Sequence, residues 1–221
     1  MRIKAVLFDI DGTLVDSNDA HVRAWEEAFA SIGETFERSA VHDQMGKGAD
    51  MLLPSLLPRL NETERSKVTE TQGTIFKTKY RGDVRPFPDA RAILAHASGI
   101  GQKVVLASSA SKDDLDHYLD LLDAREFVEA ATTSDEVERT KPAADIFSAA
   151  MAKLPGLLAS DVLVVGDTPY DVSAARKCGI ETVGLRSGGF SVDVLTDAGA
   201  IAVYEDVKAL LADYRQSPLG R

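Results

Sequence analysis

The sequence predicts an α/β fold: a doubly wound parallel sheet with an inserted all-helical segment. Three observations predict it. Residues 3–8 form a short, nearly continuous apolar run, the pattern of a parallel strand buried on both faces. From residue 89 onward, apolar runs alternate with helical patterns, which calls for parallel β-structure flanked by helices. Between these regions, residues 33–82 contain no convincing strand. The expected organisation is therefore a core of residues 1–16 and 86–221, interrupted by a helical insert at 17–85.

Taken in order, the first strand ends at Asp9, Asp11 follows one residue later, and Gly12 permits a sharp turn because it lacks a Cβ. A helix then starts at Ser17 or Asn18, with Ala20, Trp25, Ala28, Phe29 and Ile32 at helical spacing before Gly33 stops it. Asp16 and Asp19 suit a helix start, where the macrodipole favours acids. Further helices are expected over 51–57 and 68–80, punctuated by Pro54, Pro58 and Asn61-Glu62-Thr63, and Arg85-Pro86-Phe87-Pro88 ends the insert. Strands are expected over 103–107, 127–131, 162–165 and 181–185, with an edge strand at 201–203. Helices fall between them over 90–97, 112–122, 144–154, 170–177 and 193–198, and a last one covers 207–214. The tail 216–221 is expected to fray.

The bulk properties exclude several classes. A chain of 221 residues, 44% hydrophobic and 27% charged, is ordinary globular composition. The net charge of −10 argues against a nucleic-acid surface, and an anionic substrate would need local positive charge or a metal. A single cysteine, Cys178, excludes an intrachain disulfide and suggests a small buried residue on a helix in a reducing compartment. No stretch has transmembrane length and the N-terminus shows no signal-peptide pattern, so a cytoplasmic enzyme without membrane partners is expected.

Four strand ends carry polar residues that a purely structural strand does not need. The first holds Asp9 and Asp11, two anions that repel unless a cation or a shared proton compensates; hard oxygen ligands point to Mg²⁺. The second is Ser108-Ser109-Ala110-Ser111, where hydroxyls and free backbone N–H groups before a helix can cradle an anion, and Ser109 or Ser111 can cap. The third is Lys141-Pro142-Ala143-Ala144-Asp145-Ile146-Phe147, opening a helix whose first turn Asp145 supports. The fourth is Gly166-Asp167-Thr168-Pro169-Tyr170-Asp171, after the most apolar strand.

Asp9-Ile10-Asp11-Gly12-Thr13-Leu14-Val15-Asp16-Ser17 resembles the first signature of the haloacid dehalogenase-like (HAD) phosphohydrolase superfamily. The other three strand ends resemble its second, third and fourth signatures in order, so the resemblance spans residues 3 to about 185. It implies a Rossmann-like core with a helical cap, as in phosphoglycolate phosphatases and β-phosphoglucomutases. It further implies that Asp9 is the nucleophile, Asp11 the acid and base, and Lys141 the charge beside Asp9. Ser108, Ser109, Gly12 and Thr13 would surround the phosphoryl group. The metal would be Mg²⁺, held by Asp9, Asp11 through its backbone carbonyl, Asp167 and Asp171, the last holding a metal water or orienting Lys141.

The resulting expectation is a Mg²⁺-dependent phosphatase of a small phosphorylated metabolite, monomer or homodimer. A phosphosugar mutase would use the same Asp9 and Asp11, and an inactive binding module on the same fold is a third reading. Asp11 suits an oxygen leaving group, which disfavours a dehalogenase. In the insert, Lys47 of Met45-Gly46-Lys47-Gly48 either sits in a connecting loop or reaches the substrate, and His21 either lies at the surface or faces the site. Arg186-Ser187-Gly188-Gly189 can line the rim.

Overall fold

The computed structural model describes residues 3–220. Its main sheet has six strands: β1 (Ala5–Phe8), β4 (Lys103–Ala107), β5 (Ala130–Thr132), β6 (Val162–Gly166), β7 (Glu181–Leu185) and β8 (Ala202–Tyr204). Two two-residue strands, β2 (Val15–Asp16) and β3 (Arg85–Pro86), pair antiparallel outside it. The main sheet runs in the order β5-β4-β1-β6-β7-β8, every pair parallel. The chain moves outward from β1 to β4 and β5, then returns to the other side of β1 for β6. Such a reversal of strand order leaves a crevice at the carboxyl ends of the strands. All four β1 side chains are buried, as a strand covered on both faces requires.

Helices α1 (Asn18–Ser31), α2 (Arg38–His42), α3 (Ala49–Leu56) and α4 (Glu62–Ile75) lie between β2 and β3. They pack on a hydrophobic cluster of their own that includes Trp25, Phe29, Val41, Leu52, Leu53 and Val68. Truncating a fully buried leucine there, such as Leu53→Ala, costs about 2–5 kcal/mol. Helices α5 (Ala90–Gly99), α6 (Lys112–Leu122), α7 (Asp145–Ala152), α8 (Pro169–Lys177), α9 (Val192–Ala198) and α10 (Val207–Ala212) flank the main sheet. Their packing forms two further clusters, one holding Phe8, Leu106 and Tyr118 and the other Leu7, Val164 and Phe147.

Several expectations need correction. Asp16 lies in β2, paired with Arg85, and not at a helix start. The helix expected over 68–80 begins at Glu62, because Asn61 and Glu64 form a reciprocal capping box, and widens to a π-turn over Phe76–Tyr80. The strand expected over 127–131 is shifted to Ala130–Thr132 by a 3₁₀ turn at Arg125–Phe127. Cys178 is only half-buried and follows the last turn of α8. Of the tail, Arg221 lies outside the described residues, and the rest is tied down. Leu219 and Ser217 are buried, and Gln102 donates to the Leu219 carbonyl at 2.8 Å. Among the described residues no helix is long and apolar enough to cross a membrane.

Candidate active site

Three strand ends and one loop converge at the crevice. Asp9 follows β1, Ser108 follows β4 and Asp167 follows β6, while Lys141 lies in the loop before α7. Lys141 is completely buried, and its ammonium donates to Asp9 Oδ1 at 2.5 Å and the Ala107 carbonyl at 2.8 Å, with Asp171 Oδ1 2.7 Å away. Burial disfavours the charged ammonium, but Asp171 and Asp9 outweigh it and raise the lysine pKa. The other Asp171 oxygen accepts from the backbone N–H and hydroxyl of Thr168, at 3.0 and 2.6 Å, in the capping box that starts α8. Asp171 is thereby locked by its own helix start and holds the ammonium toward Asp9.

Asp9, Asp167 and Asp171 offer carboxylate oxygens that all lie within 4.8 Å of one another, and all three are buried. The Thr13 hydroxyl sits 3.1 Å from Asp9 Oδ2 and 2.9 Å from Asp167 Oδ1, yet it has one proton to donate. Asn18 donates to Asp167 Oδ2 at 3.2 Å. One ammonium and these neutral donors leave the carboxylates undercompensated. Burial, offset by Lys141 and reinforced by Asp171 and Asp11, raises the Asp9 pKa to about 7. Burial and the neighbouring Asp9 and Asp171 push Asp167 well above the usual carboxylate range. A buried group of hard oxygens that resists ionisation fits a divalent cation. Gly12, at φ +77°, and Gly188 let the backbone close on this group, since a Cβ at either would fall 2.2 or 1.7 Å from Asp167 Oδ2.

Asp11 has a different environment. Its carboxylate does not join that group; it accepts from Ser17 Oγ at 2.6 Å and lies 3.3 Å from His21 Nε2. Burial works against its ionisation, but bonds from His21, Ser17 and Tyr118 prevail and lower its pKa. The Ser108 hydroxyl is buried, accepts from the Ala110 N–H at 2.9 Å and lies 3.5 Å from Asp11 Oδ2. Ser109 instead donates to the Gly46 carbonyl at 3.1 Å, and Ser111 caps α6.

A cavity of about 460 Å³ opens above these groups, lined on the sheet side by Asp9, Asp11 and Ser108 and on the helical side by Trp25, Lys47 and Gln72. The Lys47 ammonium donates to Gln44 Oε1 at 2.5 Å and Ser55 Oγ at 3.2 Å and lies 4.5 Å from the Tyr170 ring centre. Its partial burial lowers its pKa. The insert closes on the core through several bonds. Asp50 accepts from the Thr140 N–H and hydroxyl at 2.9 and 2.5 Å, the Gly48 N–H donates to Thr140 Oγ1 at 2.8 Å, and His42 Nε2 lies 3.0 Å from the Gly188 carbonyl.

His21 faces the site, not the surface: it stacks on Phe76 and touches Asp11, Tyr118 and Gln72. Asn18, Tyr118 and Thr140 carry no sequence signal for a site, because each reads as an ordinary cap, core or loop residue. Ser187 donates to the Gly12 carbonyl at 2.6 Å, whereas Arg186 turns outward to Glu205.

The sequence matches the haloacid dehalogenase-like hydrolase family over residues 6–185. The chain belongs to that family. It is 27% identical over 216 residues to a phosphoglycolate phosphatase of Rhodospirillum rubrum, covering 94% of this chain and 89% of that protein. It is 28% identical to the chloroplastic protein SUPPRESSOR OF QUENCHING 1 of Arabidopsis thaliana, covering 93% of this chain but spanning only 20% of that much longer protein. A crystal structure of a hydrolase from Pseudomonas syringae superposes with a TM-score of 0.90 at 30% identity, over 96% of this chain and 98% of that one. The chain is thus a hydrolase of this family, and its buried aspartate group suits the divalent metal such enzymes use.

Proposed function

We propose that this hydrolase is a Mg²⁺-dependent phosphatase that cleaves a small phosphorylated metabolite through an aspartyl-phosphate on Asp9. The observation that carries the reading is the placement of Asp9: its carboxylate borders the cavity with one oxygen on a buried ammonium, two residues from a carboxylate that the Ser17 hydroxyl holds. In this reading residues 1–16 and 86–221 are the catalytic core and residues 17–85 the lid that excludes water.

An Asp9 oxygen bonds to phosphorus as the ester P–O bond breaks, and Asp11 delivers its proton to the departing alkoxide. The negative charge of a bound phosphate favours the protonated form of Asp11 that this step needs. Water then attacks phosphorus, Asp11 takes its proton, and Asp9 is released with inorganic phosphate. Lys141 and the hydroxyls of Ser108 and Thr13 face the phosphoryl oxygens, while Lys47 contacts the leaving group. Asp9, Asp167 and Asp171, with the Asp11 carbonyl, would hold Mg²⁺, which supplies positive charge against the phosphoryl oxygens.

The test is phosphate release from sugar phosphates, phosphoglycolate, nucleotides and p-nitrophenyl phosphate, with Mg²⁺ or EDTA. Metal-dependent release that Asp9→Asn abolishes is the expected result. A folded wild-type protein that releases phosphate from none of them would overturn the reading.

A further inference from the structure

Helix α4 and the π-turn after it run from Glu62 to Tyr80, and Gly73 lies inside that run. Among the described residues it is the one glycine in the interior of an α-helix, since Gly99 ends α5. A glycine there weakens the helix relative to alanine, because it gives up more backbone freedom on folding. The backbone does not require it, as its φ is not positive. Packing does not require it either: a Cβ at Gly73 meets no atom within 4 Å. Its place on the helix supplies the reason. Thr69, Gln72, Gly73 and Lys77 all line the cavity. Residues four apart share a helix face, so a side chain at Gly73 would stand between Thr69 and Lys77 and enter the cavity. This face adjoins the Asp11 side of the site. Gln72 Nε2 lies 3.4 Å from His21 Nδ1, and His21 Nε2 lies 3.3 Å from Asp11 Oδ1. Two contacts thus lead from the Asp11 carboxylate to the residue beside the open space at Gly73.

We propose that Gly73 is the specificity-determining residue of the lid, and that the room left by its missing side chain admits an extended polyol as the leaving alcohol. The inference rests on the phosphatase reading, with Asp11 marking the side on which the alcohol departs. A cavity of about 460 Å³ falls in the ~300–1,000 Å³ range that holds drug-sized ligands, more than a phosphate with a two-carbon alcohol fills. The groups beside the opening suit hydroxyls. Gln72 brings an amide that both donates and accepts. The Thr69 hydroxyl donates to the Arg65 carbonyl at 2.9 Å and keeps lone pairs with which to accept. The Lys77 ammonium lies 3.0 Å from Asp113 Oδ2, so its charge is already met. A better helix former at position 73 would strengthen α4 and close this room, which sets stability against substrate range.

The experiment measures kcat/KM for phosphate release from polyol monophosphates of equal charge: 2-hydroxyethyl phosphate, glycerol 3-phosphate, erythritol 4-phosphate and sorbitol 6-phosphate. It compares wild type, Gly73→Ala, Gly73→Leu and, on the exposed face of the same helix, Thr74→Leu. Wild type is expected to favour the six-carbon ester over the two-carbon one by about 10-fold or more. Gly73→Leu should lower kcat/KM about 30-fold for sorbitol 6-phosphate and less than about twofold for 2-hydroxyethyl phosphate. Gly73→Ala should show the same order of losses at smaller size and melt roughly 1–4 °C above wild type. If Gly73→Leu does not fold, the ratio between long and short esters in Gly73→Ala decides. An unchanged ratio in the folded Gly73 variants, the same selective loss in Thr74→Leu, or a wild type indifferent to length would overturn the inference and leave the phosphatase reading standing. Release from no ester, p-nitrophenyl phosphate included, would remove that reading and the inference with it.

Discussion

The two walls of the cavity are built on different physics. The sheet wall is charged and dry: Asp9, Lys141, Asp167 and Asp171 are buried together at strand ends, connected by bonds that leave little freedom. Among the described residues the helical wall carries no such buried ion network: Lys47, half-buried in the loop before α3, and the buried Trp25 and Gln72 of α1 and α4 belong to elements with a separate core, joined to the sheet by a few hydrogen bonds. Charges removed from water interact strongly and tolerate no loose partner, whereas neutral donors at a wet surface can be exchanged at small cost. In the proposed function, chemistry falls to one wall and choice of leaving group to the other.

The sharpest break of this comparison is Asp9→Asn on the sheet wall. Removing the proposed nucleophile should lower steady-state phosphate release by on the order of 10⁴-fold or more, while Lys47→Ala on the helical wall should change the ranking of substrates and leave turnover of the smallest ones nearly intact. Equal losses in the two variants would contradict the division of labour. Next in size is Lys141→Ala. It leaves Asp9 and Asp171 buried without their ammonium and should cost about 3–5 kcal/mol in denaturant unfolding, besides inactivating the protein. A Gly188→Ala variant follows, since its Cβ would occupy space 1.7 Å from Asp167 Oδ2. It should lower kcat about 100-fold with a modest loss of thermal stability, because Asp167 must move.

The same contrast explains what could be read from the chain. The strands at 103–107 and 181–185 and the helix at 112–122 fall where the sequence places them, because buried runs and a serine cap are local signals. The sheet wall was legible because each of its residues stands in a recognisable motif, Asp9 and Asp167 just after strands, Lys141 in the loop before α7 and Asp171 in the first turn of α8. The helical wall was not. Helix α2 has five residues, too few to display a period, and the start of α4 depends on a capping box hidden in a polar stretch. His21 and Tyr118 are 97 residues apart, and Asp50 and Thr140 are 90 apart, so their contacts exist only once the walls meet.

A pH titration sharpens the comparison on the sheet wall alone. Asp9 is raised from 3.8 to about 7 in the folded protein without metal, so the fold binds a proton there that the unfolded chain has released. Its contribution to stability is therefore largest below about pH 4 and is lost as pH rises toward 7. Thermal melts in EDTA should show wild type losing stability relative to Asp9→Asn across that window, and Mg²⁺ near pH 7 should restore it. A flat difference between the two proteins would show that Lys141 alone keeps Asp9 ionised.

The smallest effect is expected where the walls join. Thr140 precedes Lys141 and binds the insert three ways, through the Asp50 carboxylate twice and the Gly48 N–H once. Thr140→Val keeps the shape and the backbone N–H but removes the hydroxyl, leaving the buried Gly48 N–H without its acceptor. Asp50 is exposed and water can replace its lost bond, so the stability cost should be about 1 kcal/mol. If the joint serves closure, KM should rise about fivefold with kcat nearly constant, and Thr140→Ser should restore it. If kcat falls instead, the hydroxyl acts through Lys141, and the boundary between the two walls runs through the insert rather than beside it.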